Sequence, residues 1–332
     1  MQPSIESNKS SHAPGQRNVD ETMEFVMEKL AIMKQQETTH YRASNYLSQN
    51  AANATVNDRR ALCIWGFDIM RICRIDRSIA VIGISFFDRF LSHYESRVVQ
   101  CCLHRRREFQ LAFISCLMIS IKARDGKAVK LQFINEYLCK GMYHLHEITQ
   151  MEIEILRTLS WRLNGPTAID FIQCFMELLP STIEPAVAMS LTEISKANAE
   201  NAMLNYMSVL QAPSIIALAS IASSLELLSL PLSYLVDIRS WMMQCTTSVT
   251  TEDWPNHHND IFDWRRSGLI NRHICTLTNY FRTKSVNCEL ICSGHEEASD
   301  FGDECGSFKW ATSSLRKNLL DGESCEVFSP AA

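Results

Sequence analysis

A chain of 332 residues that is 46% hydrophobic has apolar material for about two domains, and its net charge of −5 argues against nucleic acid as the main partner. Its thirteen cysteines include no CxxC pair, and neither Cys101-Cys102 nor Cys288 with Cys292 has the usual zinc spacing, so they read as reduced thiols of the cytosol or nucleus. No apolar run opens the chain, which argues against a secretory signal, and the most apolar stretch is too short for the roughly 20 residues of a membrane span.

Residues 1–18 are polar, with Pro3, Pro14, Gly15 and several serines, and offer nothing to bury; a disordered arm is expected. From Asp20 to about Leu47, Met23, Val26, Met27, Leu30 and Met33 recur at helical spacing, so residues 19–57 read as an amphipathic N-terminal helix and linker. Asp58 is a candidate cap for the next helix, about 59–73, whose Leu62, Trp65, Ile69 and Ile72 share one face. A second helix, Ser78 to Ser92, turns Ile79, Ile82, Phe86 and Phe90 inward. The polar stretch 93–107, with Arg105, Arg106 and Arg107, reads as a solvated loop.

The chain is organised around Phe109 to Lys122, FQLAFISCLMISIK, in which Gln110, Ser115 and Ser120 are the only polar residues before the lysine. A helix apolar nearly all round is a buried one, and others must surround it. Helices at about 129–139 and 145–159, the latter with Ile148, Met151, Ile155 and Leu159 inward, complete five, and Pro166 closes a domain over 58–165.

The second half repeats the theme. Residues 168–180 and about 184–202 read as helices, and Gln211 to Leu228 is again apolar all round, with many small residues and Pro213 in its first turn. That rod begins about one domain length after the first, which suggests a duplicated unit over 166–283, its last helices at about 230–246 and 260–281. Between these, His257-His258 lie on a loop with no third ligand in view, so no metal is expected. Residues 284–332 lose the helical period and gather Glu296, Glu297, Asp300, Asp303 and Glu304, as in an unpacked acidic tail. No glycine-rich phosphate loop, GxSxG or HExxH is present, so the chain does not read as an enzyme, and no cofactor is expected.

Taken in order, RRALCIW, FFDRFLS, QLAFISCLMISIK, EITQMEIEILRTLSWRL and Pro166-Thr167 resemble the cyclin box over residues 58–171, closest in flavour to the D- and A-type cyclins of the cell cycle. The resemblance implies an all-α protein of two tandem five-helix cyclin folds. It implies a regulatory subunit that binds and activates a cyclin-dependent protein kinase, found in nucleus and cytoplasm and binding neither nucleic acid nor membrane. Two rival readings stand beside it: a cyclin-fold adaptor in transcription or scaffolding, for which neither the zinc ribbon nor the basic surface that would favour it is present, and a helical enzyme, which a ligand bound in a polar pocket between the two halves would support.

Arg59 opens the first helix and Asp88 lies near the end of the second, so a bidentate pair between them would lock two helices as part of the fold; the resemblance implies the same pairing. Lys122, where the dipole of the buried helix favours a cation, and Glu152 match the lysine and glutamate that in cyclins bond to the kinase near its mobile regulatory helix. Here the lysine is followed by Ala123-Arg124-Asp125-Gly126-Lys127 instead of an aromatic and two acids, and its separation from the glutamate is slightly longer. Leu62, Trp65, Asp68 and Gln110 match the groove with which similar cyclins take substrate peptides carrying a basic residue followed by leucine, although Asp58 stands where that groove usually has methionine. The Leu-x-Cys-x-Glu motif of some D-type cyclins is absent.

Overall fold

The computed structural model describes residues 14–48, 53–124, 141–228, 230 and 232–248. Among the described residues there are ten α-helices and no strand. They are α1 (Pro14–Thr38), α2 (Val56–Ile72), α3 (Ser78–Leu91), α4 (Arg97–His104), α5 (Arg106–Arg124), α6 (Leu145–Thr158), α7 (Ala168–Glu177), α8 (Pro185–Met203), α9 (Pro213–Leu227) and α10 (Leu235–Thr247).

Two apolar rods organise the molecule. In α5 every side chain from Leu111 to Ile121 is buried, because α2, α3, α4 and α6 pack round it and leave no water-facing side. The approach of α3 is close enough to require glycine: a Cβ on Gly83 would lie 2.8 Å from Leu117 Cδ2 and 3.2 Å from Leu117 Cα. In the second half α9 is buried without interruption from Ile216 to Leu225 and packs on α7 and α8. Its serines lie within the core. Ser220 and Ser224 donate to carbonyls one turn back, at 2.7 Å each, and Ser224 also accepts from Asn198 Nδ2 of α8 at 3.0 Å. Short side chains let the two helices meet closely while their hydroxyls stay satisfied. Trp241 of α10 closes the unit, donating from Nε1 to the Phe175 carbonyl at 2.8 Å.

The two units open alike. The Thr55 hydroxyl accepts from Asp58 N while Asp58 accepts from Thr55 N at 2.8 Å, and Thr167 with Asp170 repeats this reciprocal cap at the start of α7. Asp58 is therefore the third residue of α2, not its cap as the sequence suggested; both residue types cap helices, and only the backbone path decides between them.

Other boundaries differ from expectation as well. The first helix begins at Pro14, inside the stretch read as a disordered arm, and ends at Thr38, short of Leu47, after which Tyr46–Ser48 form a single 3₁₀ turn. The stretch read as a loop at 93–107 contains α4, eight residues whose Val99, Cys102 and Leu103 are buried. The helices expected at 129–139 and 260–281, the His257-His258 loop, the acidic tail and most of the polar arm lie outside the described residues.

The halves touch through α3 and α8, where Arg77 Nε lies 2.7 Å from Glu200, and α1 reaches across to pack on α7. The N-terminal helix thus belongs to the join between the units.

Candidate functional site: a buried clamp and an exposed charge pair

Arg59 is among the most deeply buried charged groups of the described residues. It donates from Nε to Asp88 Oδ1 at 2.8 Å and from Nη2 to Oδ2 at 2.6 Å, with the two side chains 1% and 4% exposed. Its third arm, Nη1, donates to the Met203 carbonyl at the end of α8 at 2.8 Å, where a cation also suits the helix dipole. Tyr46 donates to Asp88 Oδ1 at 2.7 Å and stands edge-on to Tyr206, whose ring also faces the guanidinium. Burial opposes the charge on Arg59, yet the Asp88 carboxylate more than offsets it and the guanidinium pKa stays well above its usual value. The same burial, with Asp88 beside it, pushes the Tyr46 phenol up. This node ties α2, α3, α8 and the 3₁₀ turns at Tyr46 and Tyr206 together.

A second pair is built in the opposite way. Lys122, in the last turn of α5, donates from Nζ to Glu152 Oε1 at 2.6 Å and to Oε2 at 2.8 Å, with side-chain exposures of 42% and 15%. An exposed pair of this kind contributes about 0–1 kcal/mol, so the fold depends little on it. The ammonium keeps an unused N–H and the carboxylate unused lone pairs, all within reach of another molecule.

The remaining candidates are buried or half-buried. Leu62 and Trp65 are only 1% and 3% exposed, and Trp65 leans on Phe113 with ring centroids 6.4 Å apart. Asp68 is half-buried and takes Arg71 Nη2 at 3.1 Å, while Gln110 is half-buried on α5.

The arginine run also proves to be structured. Arg107 grips Glu147 with two bonds of 2.9 Å, lies over the Tyr143 ring at 4.7 Å and holds the start of α6 against the start of α5. The guanidinium, with a backbone N–H from His144, draws the Glu147 carboxyl down to about 2. Sequence reasoning missed this pair because its partners lie 40 residues apart; the signal, Glu147 three residues into a helix beside Tyr143, becomes meaningful only once α5 and α6 are known to start side by side.

Residues 28–164 match the family model of the cyclin N-terminal domain. Among solved structures, a viral cyclin from herpesvirus saimiri superposes with a TM-score of 0.52 at 16% identity, over 76% of this chain and 97% of that one. Residues 28–164 thus carry a cyclin N-terminal domain, and the chain as a whole is similar to the cyclins. Among curated cyclins, the G2/mitotic-specific cyclin-A of Hydra viridissima is 25% identical over 216 residues, covering 64% of this chain and 47% of that protein. Cyclin-A1-4 of Oryza sativa subsp. japonica is 24% identical over 185 residues, covering 56% and 49%. The G1/S-specific cyclin-E1 of Danio rerio is 27% identical over 121 residues, covering 36% and 27%. The chain therefore spans about half or less of the length of these curated relatives. Its cyclin N-terminal domain contains both charge pairs, the buried Arg59–Asp88 and the exposed Lys122–Glu152.

Proposed function

We propose that this chain is the regulatory subunit of a cyclin-dependent protein serine/threonine kinase in cell-cycle control, docking through the surface around Lys122 and Glu152. One observation carries the reading. Arg59–Asp88 is sunk in the core and Arg107–Glu147 fastens the starts of two helices, whereas the Lys122–Glu152 pair stands at the rim, with hydrogen-bonding capacity to spare and little to do for stability. Relatives named as G1/S-specific and G2/mitotic-specific cyclins support the cell-cycle assignment. To activate, the subunit must bind the active kinase conformation more tightly than the inactive one; about 1.4 kcal/mol of difference shifts the equilibrium tenfold. Residence in both nucleus and cytoplasm is part of the same proposal.

The test is co-purification with a panel of cyclin-dependent kinases, followed by a phosphorylation assay, using the intact chain and a Lys122→Ala, Glu152→Ala double variant. The variant should melt within about 4 °C of the native chain, since an exposed pair is worth about 0–1 kcal/mol, and should lose kinase binding and activation together. Equal recovery of active kinase with both chains refutes the docking surface, and failure of the native chain to bind any kinase refutes the function. Substrate-peptide docking on Leu62, Trp65, Asp68 and Gln110 belongs to the proposal only if the covered Leu62 and Trp65 open to a ligand. A basic-leucine peptide that binds the native chain but not an Asp68→Ala variant would establish it, and one that binds neither would exclude it.

A further inference from the structure

A cavity of about 60 Å³ lies where the two units and the end of α1 meet, far in character from the exposed pair. Its charged lining is Glu37, Arg42, Asp88 and Arg89, and the first turns of α7 and α9 also border it, at Thr167, Ala168 and Pro213. Both carboxylates are already engaged. Asp88 is held by Arg59 and Tyr46, and Glu37 takes Lys34 Nζ at 2.6 Å and both the backbone N–H and the hydroxyl of Ser214, at 3.0 and 2.7 Å.

Among the described residues neither arginine has a carboxylate partner. Arg89 is only 3% exposed; its Nη2 donates to the Arg162 carbonyl at 3.0 Å and its guanidinium lies over the Tyr41 ring at 4.7 Å, while Nε and Nη1 are buried with no hydrogen-bond partner among the described residues. Burial lowers its pKa to about 10, which still leaves it charged at neutral pH. Arg42 is exposed on the lining. Buried donors on a charged group are rarely left unpaired, so this cavity is short of acceptor oxygens.

We propose that this junction is a binding site for a phosphoryl group, free or carried on a phosphorylated side chain, with Arg89 as its buried fork and Arg42 as its outer cation. At roughly 10–15 Å³ each, about 60 Å³ gives room for about four to six water-sized oxygens, enough for the four of a phosphate. Two guanidinium groups without a carboxylate partner among the described residues favour a dianion over a single carboxylate, and guanidinium geometry suits paired oxygens. The α9 N-terminus already holds one anion, Glu37, so the local field tolerates negative charge. An occupant would link α3, α7 and the end of α1, stiffening the join between the units. None of this depends on kinase binding.

The probes are inorganic phosphate, with acetate and chloride at matched ionic strength, and one short peptide in phosphoserine and unmodified forms, added to the full chain and followed by calorimetric titration and thermal unfolding. Saturable phosphate binding with a rise in melting temperature is expected, absent with acetate and chloride. Arg89→Gln and the exposed Arg42→Gln should each weaken it at least about tenfold, and phosphate should no longer raise the melting temperature of the first variant. Competition by the phosphopeptide identifies a carried group as the ligand, and binding of phosphate alone identifies the free ion. Absence of saturable binding, equal response to acetate, or unchanged affinity in Arg42→Gln and Arg89→Gln overturns the site.

Discussion

Replacing Arg59 by alanine tests the buried clamp most directly. The substitution removes two bonds to Asp88, of 2.8 and 2.6 Å, and the bond to the Met203 carbonyl, and it leaves a carboxylate 4% exposed with only the Tyr46 hydroxyl to stabilise it. Stranding one partner of a buried pair costs about 3–5 kcal/mol. For a folded region of this size each kcal/mol moves the melting temperature by about 2–4 °C, so a fall of about 6–20 °C is expected in thermal unfolding followed by circular dichroism. The double variant Arg59→Ala, Asp88→Ala should cost no more than the worse of the two single ones, because it strands no charge. A loss below about 1 kcal/mol for Arg59→Ala, or strictly additive single variants, would show that the guanidinium does not hold the units together in the way described.

Two further substitutions probe features outside the clamp. In Gly165→Ala the new Cβ would collide with the Tyr41 ring at Cδ1, so Tyr41 must leave its place against Arg89; a loss of about 1–3 kcal/mol in urea unfolding is expected, and a neutral result would mean the ring has room to move. The Glu147 carboxyl, drawn by Arg107 from its ordinary 4.5 to about 2, contributes stability that is fully present above pH 4.5 and fades as pH falls towards 2. Glu147→Gln should therefore be less stable than the native chain at neutral pH and converge with it in acid; a gap that stays constant across that range would count against the Arg107 pairing.

Much of the architecture could be read from apolar patterning alone. The α5 rod has no polar side wide enough for water, so its burial follows whatever its neighbours are, and the same holds for α9 with its small residues. Short or capped elements were less legible. The α4 sequence RVVQCCLH buries only three side chains and is flanked by arginines and a histidine that resemble a solvated loop, while Thr55 and Asp58 are equally good caps until the chain's direction is known. Arg59 and Asp88 were readable as partners because one lies at the start and the other near the end of successive helices; Tyr46, Tyr206 and the Met203 carbonyl were not, since nothing local marks them.

Sequence by itself determined the helical class, the two greasy rods and the family resemblance, because these depend on periodicity and on ordered local motifs that every helix carries within itself. Only tertiary structure decided which charges are spent internally and which remain for a partner. Arg107 is spent on a glutamate 40 residues away, Arg59 reaches a carbonyl 144 residues away, and Arg89, at the join of the units, is left with donors unpaired among the described residues. Such pairings depend on how whole helices are brought side by side, and the strength of each then depends on how much water the packing leaves around it.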